Sequence, residues 1–313
     1  MCEHGRYACP HGQLVSGGQR SRWLVTGAHG QLGSDLRRVL AAAGVESEQL
    51  LALGSDELDI TSSAAVQAVF RDFQPQLVVN AAAYTAVDQA ESEEDRAFAV
   101  NAGGPALLAA AAARAGARLL QVSTDYVFAG EADQPYGVDA EPAPRSAYGR
   151  TKLAGELAVR ELAPEHGYVV RTAWVYGATG SNFVKTMARL EQTRDTVEVV
   201  DDQRGSPTWS ADLARGLVEL AGSAARPGVY HCTGSGETSW YGLARAVFEE
   251  LGADPDRVLP TTTDKFPRPA PRPAYSVLSD HAWRDAGLST MPHWRAALRR
   301  AFAEDRPAYL PAS

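Results

Sequence analysis

The chain has 313 residues, of which 45% are hydrophobic and 22% charged, and its formal net charge at pH 7 is −8. A chain of this length and composition buries a sizeable core without disulfides or metal, as one large domain or two modest ones. The acidic balance argues against nucleic acid as a partner, and the lack of an apolar run of about 20 residues argues against a membrane helix.

Residues 1–21 are predicted to be a disordered leader rather than a signal peptide, because they lack a continuous apolar stretch. An alternative for this segment is a small zinc site formed by Cys2, His4, Cys9 and His11. A structural zinc requires four fixed ligands, and no second element follows to close such a site. The three cysteines of the chain are too few for a disulfide framework and indicate a reducing, cytoplasmic setting.

From residue 22 onward, strand patterns and helix patterns alternate. Strands are predicted at 22–27, 50–54, 77–83, 118–128 and 168–177. Helices are predicted between them at 31–43, 62–73, 93–115 and 148–163. Strands separated by helices of this length predict an α/β fold with a doubly wound parallel sheet, whose ligands bind beyond the carboxyl ends of the strands.

The composition changes after residue 177, where Gly, Pro, Trp and Thr become frequent. Two helices are predicted in this part, at 211–222 and 239–251. We therefore predict a main α/β domain over 22–177. Residues 178–313 are predicted to form mainly a smaller substrate-binding lobe, with some elements returning to the main sheet.

A glycine-rich turn, Gly27-Ala28-His29-Gly30-Gln31-Leu32-Gly33, joins the first predicted strand to the first helix. Gly27 permits a tight turn, Gly30 lets the backbone approach a pyrophosphate, and Gly33 lets the helix pack on the sheet. The helix N-terminus then offers free amides and a partial positive charge to phosphates. In this context the pattern predicts a Rossmann dinucleotide-binding domain, with cofactor contacts from Gly27, Gly30, Gln31 and Leu32. The alternative is a turn that only packs.

The residues after the second predicted strand normally select the cofactor. An acidic residue there binds the ribose hydroxyls, whereas an arginine favours the extra phosphate of NADPH. This chain has Gly54-Ser55-Asp56 and no arginine directly after it. Ser55 is compatible with a phosphate, while Asp56 argues for the hydroxyls. NADPH and NADH both stay open, with NADPH slightly favoured.

Tyr148 and Lys152 lie four residues apart on a predicted helix, so their side chains share one face. A phenol has a pKa of about 10, and a nearby ammonium is expected to lower that pKa. Tyr148 then acts as general acid towards an alkoxide formed by hydride transfer. Ser123 or Thr124, at the end of the fourth strand, is expected to hold the ketone oxygen. The alternative is an exposed helix pair, but the order of glycine turn, strand-end hydroxyl and YxxxK favours catalysis.

Motifs that carry a family resemblance cover the chain from about residue 22 to about residue 300. They are GAHGQLG (27–33), NAAAYTAVDQAE (80–91), VNAGGPALLA (100–109), STDYVFAG (123–130), YGRTKLAGE (148–156), RTAWVYG (171–177), NFVKTM (182–187), DDQRGSPT (201–208) and FPRPAPRPAYSVLS (266–279). On these motifs the chain resembles the dTDP-4-dehydrorhamnose reductases, of the extended short-chain dehydrogenase/reductase family. The resemblance implies NAD(P)H-dependent reduction of the 4-keto group of dTDP-4-dehydro-L-rhamnose to dTDP-L-rhamnose.

The resemblance also implies roles for individual residues. The catalytic trio is Thr124, Tyr148 and Lys152, and Lys152 also holds the nicotinamide ribose. Further cofactor contacts are implied for Asp59, Ile60, Ala82, Ala83 and Tyr84. Contacts with the sugar nucleotide are implied for Thr124, Tyr126, Tyr148, Trp174 and Asn182.

Each of the substrate positions outside the trio has a purely structural alternative. Trp174 fits core filling, Tyr126 fits a cap on the sheet, and Asn182 fits a turn. In the Pro-rich segment near the C-terminus, Arg272 is a candidate partner of the diphosphate, because a guanidinium fork suits that geometry. Arg268 in the same segment is expected to be a surface tether.

Some members of this family hold a magnesium ion with carboxylates at a dimer contact, and Asp35 lies where one of these carboxylates is expected. The other ligands cannot be placed from the sequence, so magnesium stays open and no metal site is predicted. A homodimer is expected, with the predicted helix at 211–220 as its contact.

Two other functions are open. One is a related dTDP-4-keto-deoxysugar ketoreductase of an antibiotic pathway, for example of the dihydrostreptose type, since strand-end loops decide the sugar. The other is a non-catalytic dinucleotide-binding partner protein, as in the regulatory subunit of methionine adenosyltransferase, which resembles this family. The intact trio argues against the second, although a fold does not fix a function.

Overall fold

The computed structural model describes residues 21–309, so residues 1–20 of the predicted leader, with the alternative zinc ligands, lie outside the described residues. The strands are β1 Trp23–Thr26, β2 Leu50–Leu53, β3 Leu77–Asn80, β4 Arg118–Thr124, β5 Gly167–Thr172, β6 Val175–Tyr176, β7 Val197–Val200, β8 Arg204–Gly205, β9 Thr208–Trp209, β10 Gly228–His231, β11 Thr238–Ser239 and β12 Val258–Thr261. The helices are α1 Gln31–Ala42, α2 Ser63–Phe73, α3 Val87–Ala90, α4 Glu94–Phe98, α5 Gly104–Ala115, α6 Ala147–Leu162, α7 Phe183–Thr193, α8 Ser210–Gly222, α9 Trp240–Leu251, α10 His281–Asp285 and α11 Trp294–Tyr309.

Six strands form one parallel sheet in the order β10-β5-β4-β3-β1-β2. Alternate residues of β1 face opposite sides: Leu24 packs in one apolar cluster and Val25 in the other. The sheet is therefore buried on both faces, as parallel sheets are. The prediction of a doubly wound α/β fold is confirmed. Because the chain runs outward in both directions from β1, a crevice opens beyond the carboxyl ends of β1 and β3.

Two of the predicted elements are interrupted in the structure. The long helix expected at 93–115 is interrupted by a π-helical turn at Ala99–Gly103. That turn carries the buried Asn101, whose amide accepts from the Tyr84 N–H at 2.9 Å and donates to the Tyr84 carbonyl at 3.1 Å. The strand expected at 168–177 breaks at Trp174, whose φ of 49° lies in the left-handed region and cannot continue a strand.

The C-terminal part contributes both to the sheet and to a second core. Strand β10 pairs in parallel with β5 and so extends the main sheet. Helices α7, α9 and α11 enclose an apolar cluster that includes Trp209, Phe248 and Phe302. Within residues 21–309, no helix is both long and apolar enough to cross a bilayer.

Candidate active site

A cleft of about 660 Å³ opens at the carboxyl ends of the central strands. Most of the residues predicted from the sequence line it. These are Gly27, Gly30, Gln31, Leu32, Asp59, Ile60, Ala82, Ala83, Thr124, Tyr126, Tyr148, Lys152 and Trp174. The glycine turn and the predicted catalytic trio therefore face one common space.

The glycine turn leaves no room for side chains at two of its positions. Gly27 has a φ of +69°, and a Cβ there would lie 2.7 Å from the Ala82 nitrogen. A Cβ at Gly33 would lie 2.1 Å from the Gly27 carbonyl oxygen. The turn thus presses against the segment after β3 and against the first turn of α1. Because Gly30 supplies no side-chain cap, the first amides of α1 are left for an outside acceptor. This backbone cradle fits a dinucleotide phosphate.

The end of β2 closes the far side of the cradle. Gly54 and Ser55 line the cleft, and the Gly54 N–H donates to Glu57 at 2.8 Å. Glu57 also lies 3.2 Å from Nε2 of His29 in the glycine turn. Further along, the Asp59 carboxylate accepts from the Thr61 amide and hydroxyl at 2.9 and 2.7 Å. The end of β2 thus brings the carboxylates of Glu57 and Asp59 next to His29 of the glycine turn, a set that does not by itself select NADPH or NADH.

The catalytic helix is positioned by its cap. Ser146 precedes α6, and its hydroxyl accepts from the Gly149 N–H at 3.1 Å, which places Tyr148 in the first helical turn. Lys152 lies one turn further and is 4% exposed. Its ammonium donates to the Val122 carbonyl of β4 at 2.7 Å. The helix is therefore tied to the strand that ends in Thr124.

Burial sets the pKa values of the two predicted catalytic groups. It raises the pKa of Tyr148 to about 12, while hydrogen bonding with Thr124 acts in the opposite sense. It lowers the pKa of Lys152 to about 8, against the opposing charge of Glu156. The expectation that Lys152 lowers the pKa of Tyr148 is therefore wrong for the cofactor-free protein. The phenol keeps its proton at neutral pH, which is the state a general acid needs.

Asp125 is a cleft residue that the sequence analysis missed. It follows Thr124 directly, is 2% exposed, and accepts from the Thr124 hydroxyl at 2.9 Å through Oδ1. Its Oδ2 is buried, and hydrogen bonding with Ser276 and Thr124 opposes the effect of burial on its pKa. Burial raises the pKa of Asp125 to about 6. Its position after the strand-end Ser-Thr pair was the available signal, because strand-end loops collect binding residues.

Trp240 is a second missed residue. It begins α9, lines the cleft, and stacks on Trp174. Its indole N–H donates to the Gln203 side chain at 3.1 Å. Nothing in its sequence neighbourhood indicates this position, because the contact joins residues 66 apart that only the fold brings together.

Three predicted site residues do not line the cleft. The Tyr84 hydroxyl donates to Glu93 at 3.0 Å. The Asn182 amide caps α7 by accepting from the Lys185 N–H at 2.9 Å and donates to Gln31 at 2.9 Å, so it holds a turn. Arg272 pairs with Asp88 on α3 at 2.8 Å.

The carboxylate expected at a family magnesium site is engaged by the protein itself. Asp35 is buried and accepts from Arg38 at 2.6 Å and from the Ser210 hydroxyl. Because a guanidinium neutralises this carboxylate and both oxygens have donors, the residues present do not fit a cation at Asp35.

Helix α8, expected to form a dimer contact, packs largely against the rest of this chain. Ten of its residues are buried, and it lies against α1. Arg215, whose side chain is 44% exposed, pairs with Asp212 on the same helix. The apolar face of α8 therefore belongs to the core of this chain, and a dimer contact through this helix stays a prediction.

Comparison with known proteins agrees with this architecture. A protein of Streptomyces griseus named dTDP-4-dehydrorhamnose reductase is 53% identical over 287 residues, covering 90% of this chain and 93% of its own length. A Streptomyces niveus protein named dTDP-4-keto-6-deoxy-D-glucose reductase is 49% identical, covering 90% of this chain and 96% of its own. The crystal structure of a Bacillus anthracis dTDP-4-dehydrorhamnose reductase in complex with NADP superposes with a TM-score of 0.86 at 40% identity, covering 91% of this chain and all of that one.

The family resemblance carried by the sequence motifs is confirmed. The family model described as "RmlD substrate binding domain" matches residues 21–306, and with these relatives the chain belongs to the dTDP-4-dehydrorhamnose reductase family.

Proposed function

We propose that this protein reduces the 4-keto group of dTDP-4-dehydro-L-rhamnose to give dTDP-L-rhamnose, with NADPH as the favoured cofactor. The observation that carries the proposal is the shared cleft: Thr124, Tyr148 and Lys152 line the same space as the glycine cradle. A ketone held between the trio and the cradle lies within reach of both a proton donor and a dinucleotide.

In this proposal the residues of the cleft divide the work. The bound cofactor supplies hydride to the keto carbon. Tyr148, which is protonated at neutral pH, donates its proton to the ketone oxygen. Thr124 turns its hydroxyl from Asp125 towards the same oxygen and fixes the angle of the phenol. The Lys152 ammonium, held by Val122, adds positive charge where negative charge develops and holds the nicotinamide ribose.

The cradle and the neighbouring loops support the cofactor assignment. Gly27, Gly30, Gln31 and Leu32 are proposed to hold the diphosphate, and Asp59 with Ile60 the adenosine half. Ala82 and Ala83 after β3 line the nicotinamide side. Tyr126 and Trp174 are proposed to contact the sugar nucleotide. The roles predicted for Tyr84, Asn182 and Arg272 stay predictions, because these side chains would have to move to line the cleft. The homodimer and the cytoplasmic location also stay predictions.

Purified protein, supplied with dTDP-4-dehydro-L-rhamnose and either NADPH or NADH, tests the proposal. We expect substrate-dependent oxidation of the reduced nicotinamide and a product that co-elutes with dTDP-L-rhamnose. Oxidation no faster than in the substrate-free control contradicts the proposed reaction.

A second candidate is reduction of another dTDP-4-keto-deoxysugar. It is favoured by the Streptomyces niveus relative, whose name gives a 4-keto-6-deoxy-D-glucose reductase. A panel of dTDP-keto sugars distinguishes the two: turnover of another sugar without turnover of dehydrorhamnose replaces the first proposal by the second. A protein that binds NADPH but reduces no sugar of the panel would favour the regulatory alternative.

A further inference from the structure

A buried polar network lies directly behind the catalytic trio. The Glu156 carboxylate accepts from the Ser123 hydroxyl at 2.5 Å and from two nitrogens of Arg171 at 2.7 and 3.0 Å. His231 of β10 lies 3.5 Å from Arg171 and 3.0 Å from the Ser279 carbonyl oxygen. Glu156, Arg171 and His231 are each 1–2% exposed. Taking such charges out of water is costly, so a network of this kind calls for a function beyond stability.

Glu156 occupies a specific place relative to the catalytic lysine. It lies one turn after Lys152 on α6, at the spacing that puts two side chains on the same helix face. It also accepts a hydrogen bond from Ser123, which lies between Val122 and Thr124 on β4. The Val122 carbonyl in turn binds the Lys152 ammonium. One carboxylate therefore contacts the segment of β4 that contains Thr124 and binds the Lys152 ammonium.

We propose that Glu156 is a positioning residue of the active site, whose buried carboxylate keeps Lys152 in its ammonium form and fixes the Ser123 end of β4. Only the link from Lys152 to turnover rests on the proposed function; the electrostatic effect on Lys152 does not. Burial and the Glu156 charge act on the Lys152 pKa in opposite directions, burial lowering it and the carboxylate raising it.

Several other charged groups on elements packed against α6 have partners other than Lys152. Glu94 of α4 pairs with Arg150, Asp88 of α3 pairs with Arg272, and Asp125 accepts from Thr124. Arg171 of β5 faces Glu156. Burial and the Arg171 charge lower the pKa of His231 to about 3, so this ring is neutral at working pH. Among these groups, Glu156 is the one whose charge supports the Lys152 ammonium.

The small number of lysines makes a direct test possible. The chain has three lysines, Lys152, Lys185 and Lys265. Labelling lysine with 13C and 15N gives few side-chain signals, and a pH titration of the cofactor-free protein follows each one separately. In Glu156→Gln we expect the Lys152 midpoint to fall by about one pH unit or more, because a carboxylate is lost and the Arg171 charge is left unpaired. The alkaline limb of the kcat profile should move down in pH by the same amount.

Two further variants keep the test decisive. The double variant Glu156→Gln/Arg171→Met removes both charges, so it serves as the test if the single variant does not fold. The Lys152 midpoint of the double variant should lie between those of wild type and Glu156→Gln. Glu94→Gln removes an exposed carboxylate that pairs with α6 and should leave Lys152 unchanged. A Lys152 midpoint equal in wild type and in the folded Glu156 variants overturns the proposal. Failure of the proposed reaction would appear instead as absent turnover in wild type, with the titration still readable.

Discussion

The indole rings of Trp174 and Trp240 stack in parallel, with centroids 3.5 Å apart and planes within 5° of each other. Trp174 adopts a left-handed φ of 49°, which costs a residue with a Cβ about 1–3 kcal/mol. Two contacts hold Trp174 in this conformation: the stack on Trp240 and the close approach of Gly205. A Cβ at Gly205 would lie 2.4 Å from the Trp174 ring. Backbone strain of this kind persists where surrounding contacts hold the residue in place, and here the strained residue lines the cleft.

Replacement of Trp240 should therefore affect the substrate more than the cofactor. In Trp240→Ala we expect KM for the sugar nucleotide to rise by about 10-fold, because Trp174 loses the stacking that fixes its conformation. Trp240→Phe keeps an aromatic partner and should recover most of the loss. Steady-state kinetics with each substrate varied, together with NADPH titration by fluorescence, checks this. An unchanged KM in the alanine variant would mean that Trp174 holds its place without the stack.

Tyr148→Phe removes the proton donor and retains the ring. We expect kcat to fall by about 10²–10⁴, while the affinity for NADPH changes little, since the glycine cradle is untouched. Single-turnover kinetics and cofactor titration measure the two effects. A kcat near that of wild type would assign the acid role to another group, and Asp125, at the same end of β4, would be the first to examine.

The pH dependence of turnover should follow Lys152. Its pKa lies near 8 in the folded protein, below the ordinary lysine value, so the ammonium is present below that pH and is lost as pH rises through about 8. We expect kcat to fall over this range, although Tyr148, with a pKa near 12, still carries its proton. A kcat–pH profile at saturating substrate checks the direction. A flat profile up to the onset of unfolding would show that turnover does not require the charge.

The sequence predicted the parts of the site that repeat a local chemical rule. The glycine turn is recognisable because glycines are required where a side chain would clash with nearby backbone. At Gly33, for example, a Cβ would collide with the Gly27 carbonyl oxygen. Tyr148 and Lys152 are recognisable because helical spacing alone brings them to one face. The alternation of strands and helices likewise predicted the parallel sheet and the positions of its first five strands.

The parts that the sequence did not predict depend on contacts between distant residues. Strand β10 is four residues long, and only its pairing with β5 makes it part of the sheet. Trp240 reaches the cleft through its stack on Trp174. The direction of the Tyr148 pKa shift was predicted wrongly because spacing reveals the neighbouring ammonium but not the depth of burial, which is the larger effect.

Asp125→Asn should stabilise the protein at neutral pH. The folded-state pKa of Asp125 is about 6, above its ordinary value near 3.8, so the buried carboxylate is a penalty that is present above pH 6 and fades as pH falls towards 4. Asparagine keeps the shape and removes the charge. We expect the Tm to rise by a few degrees at pH 8 and by much less at pH 4.5, with a loss of activity at both. Calorimetry at the two pH values measures the difference, and an equal gain at both would rule out the charge as its cause.

Gly33→Ala tests the cradle itself. A Cβ at this position would lie 2.1 Å from the Gly27 carbonyl oxygen and 2.7 Å from the Ala28 Cα, and both are backbone atoms that cannot turn aside. The first turn of α1 must therefore move away from β1, which displaces the amides that face the cleft. We expect the Kd for NADPH to rise at least 10-fold, because phosphate binding depends on the placement of these amides.

A matched control for this variant is available at Gly103. Its backbone is helical, and a Cβ there meets nothing within 4 Å. Gly103→Ala should leave cofactor affinity unchanged and keep or slightly raise the Tm, because alanine is the better helix former. Fluorescence titration of both variants with NADPH compares them directly. If the two bound NADPH equally well, and both as tightly as wild type, the dinucleotide would have to sit somewhere other than on the turn between β1 and α1.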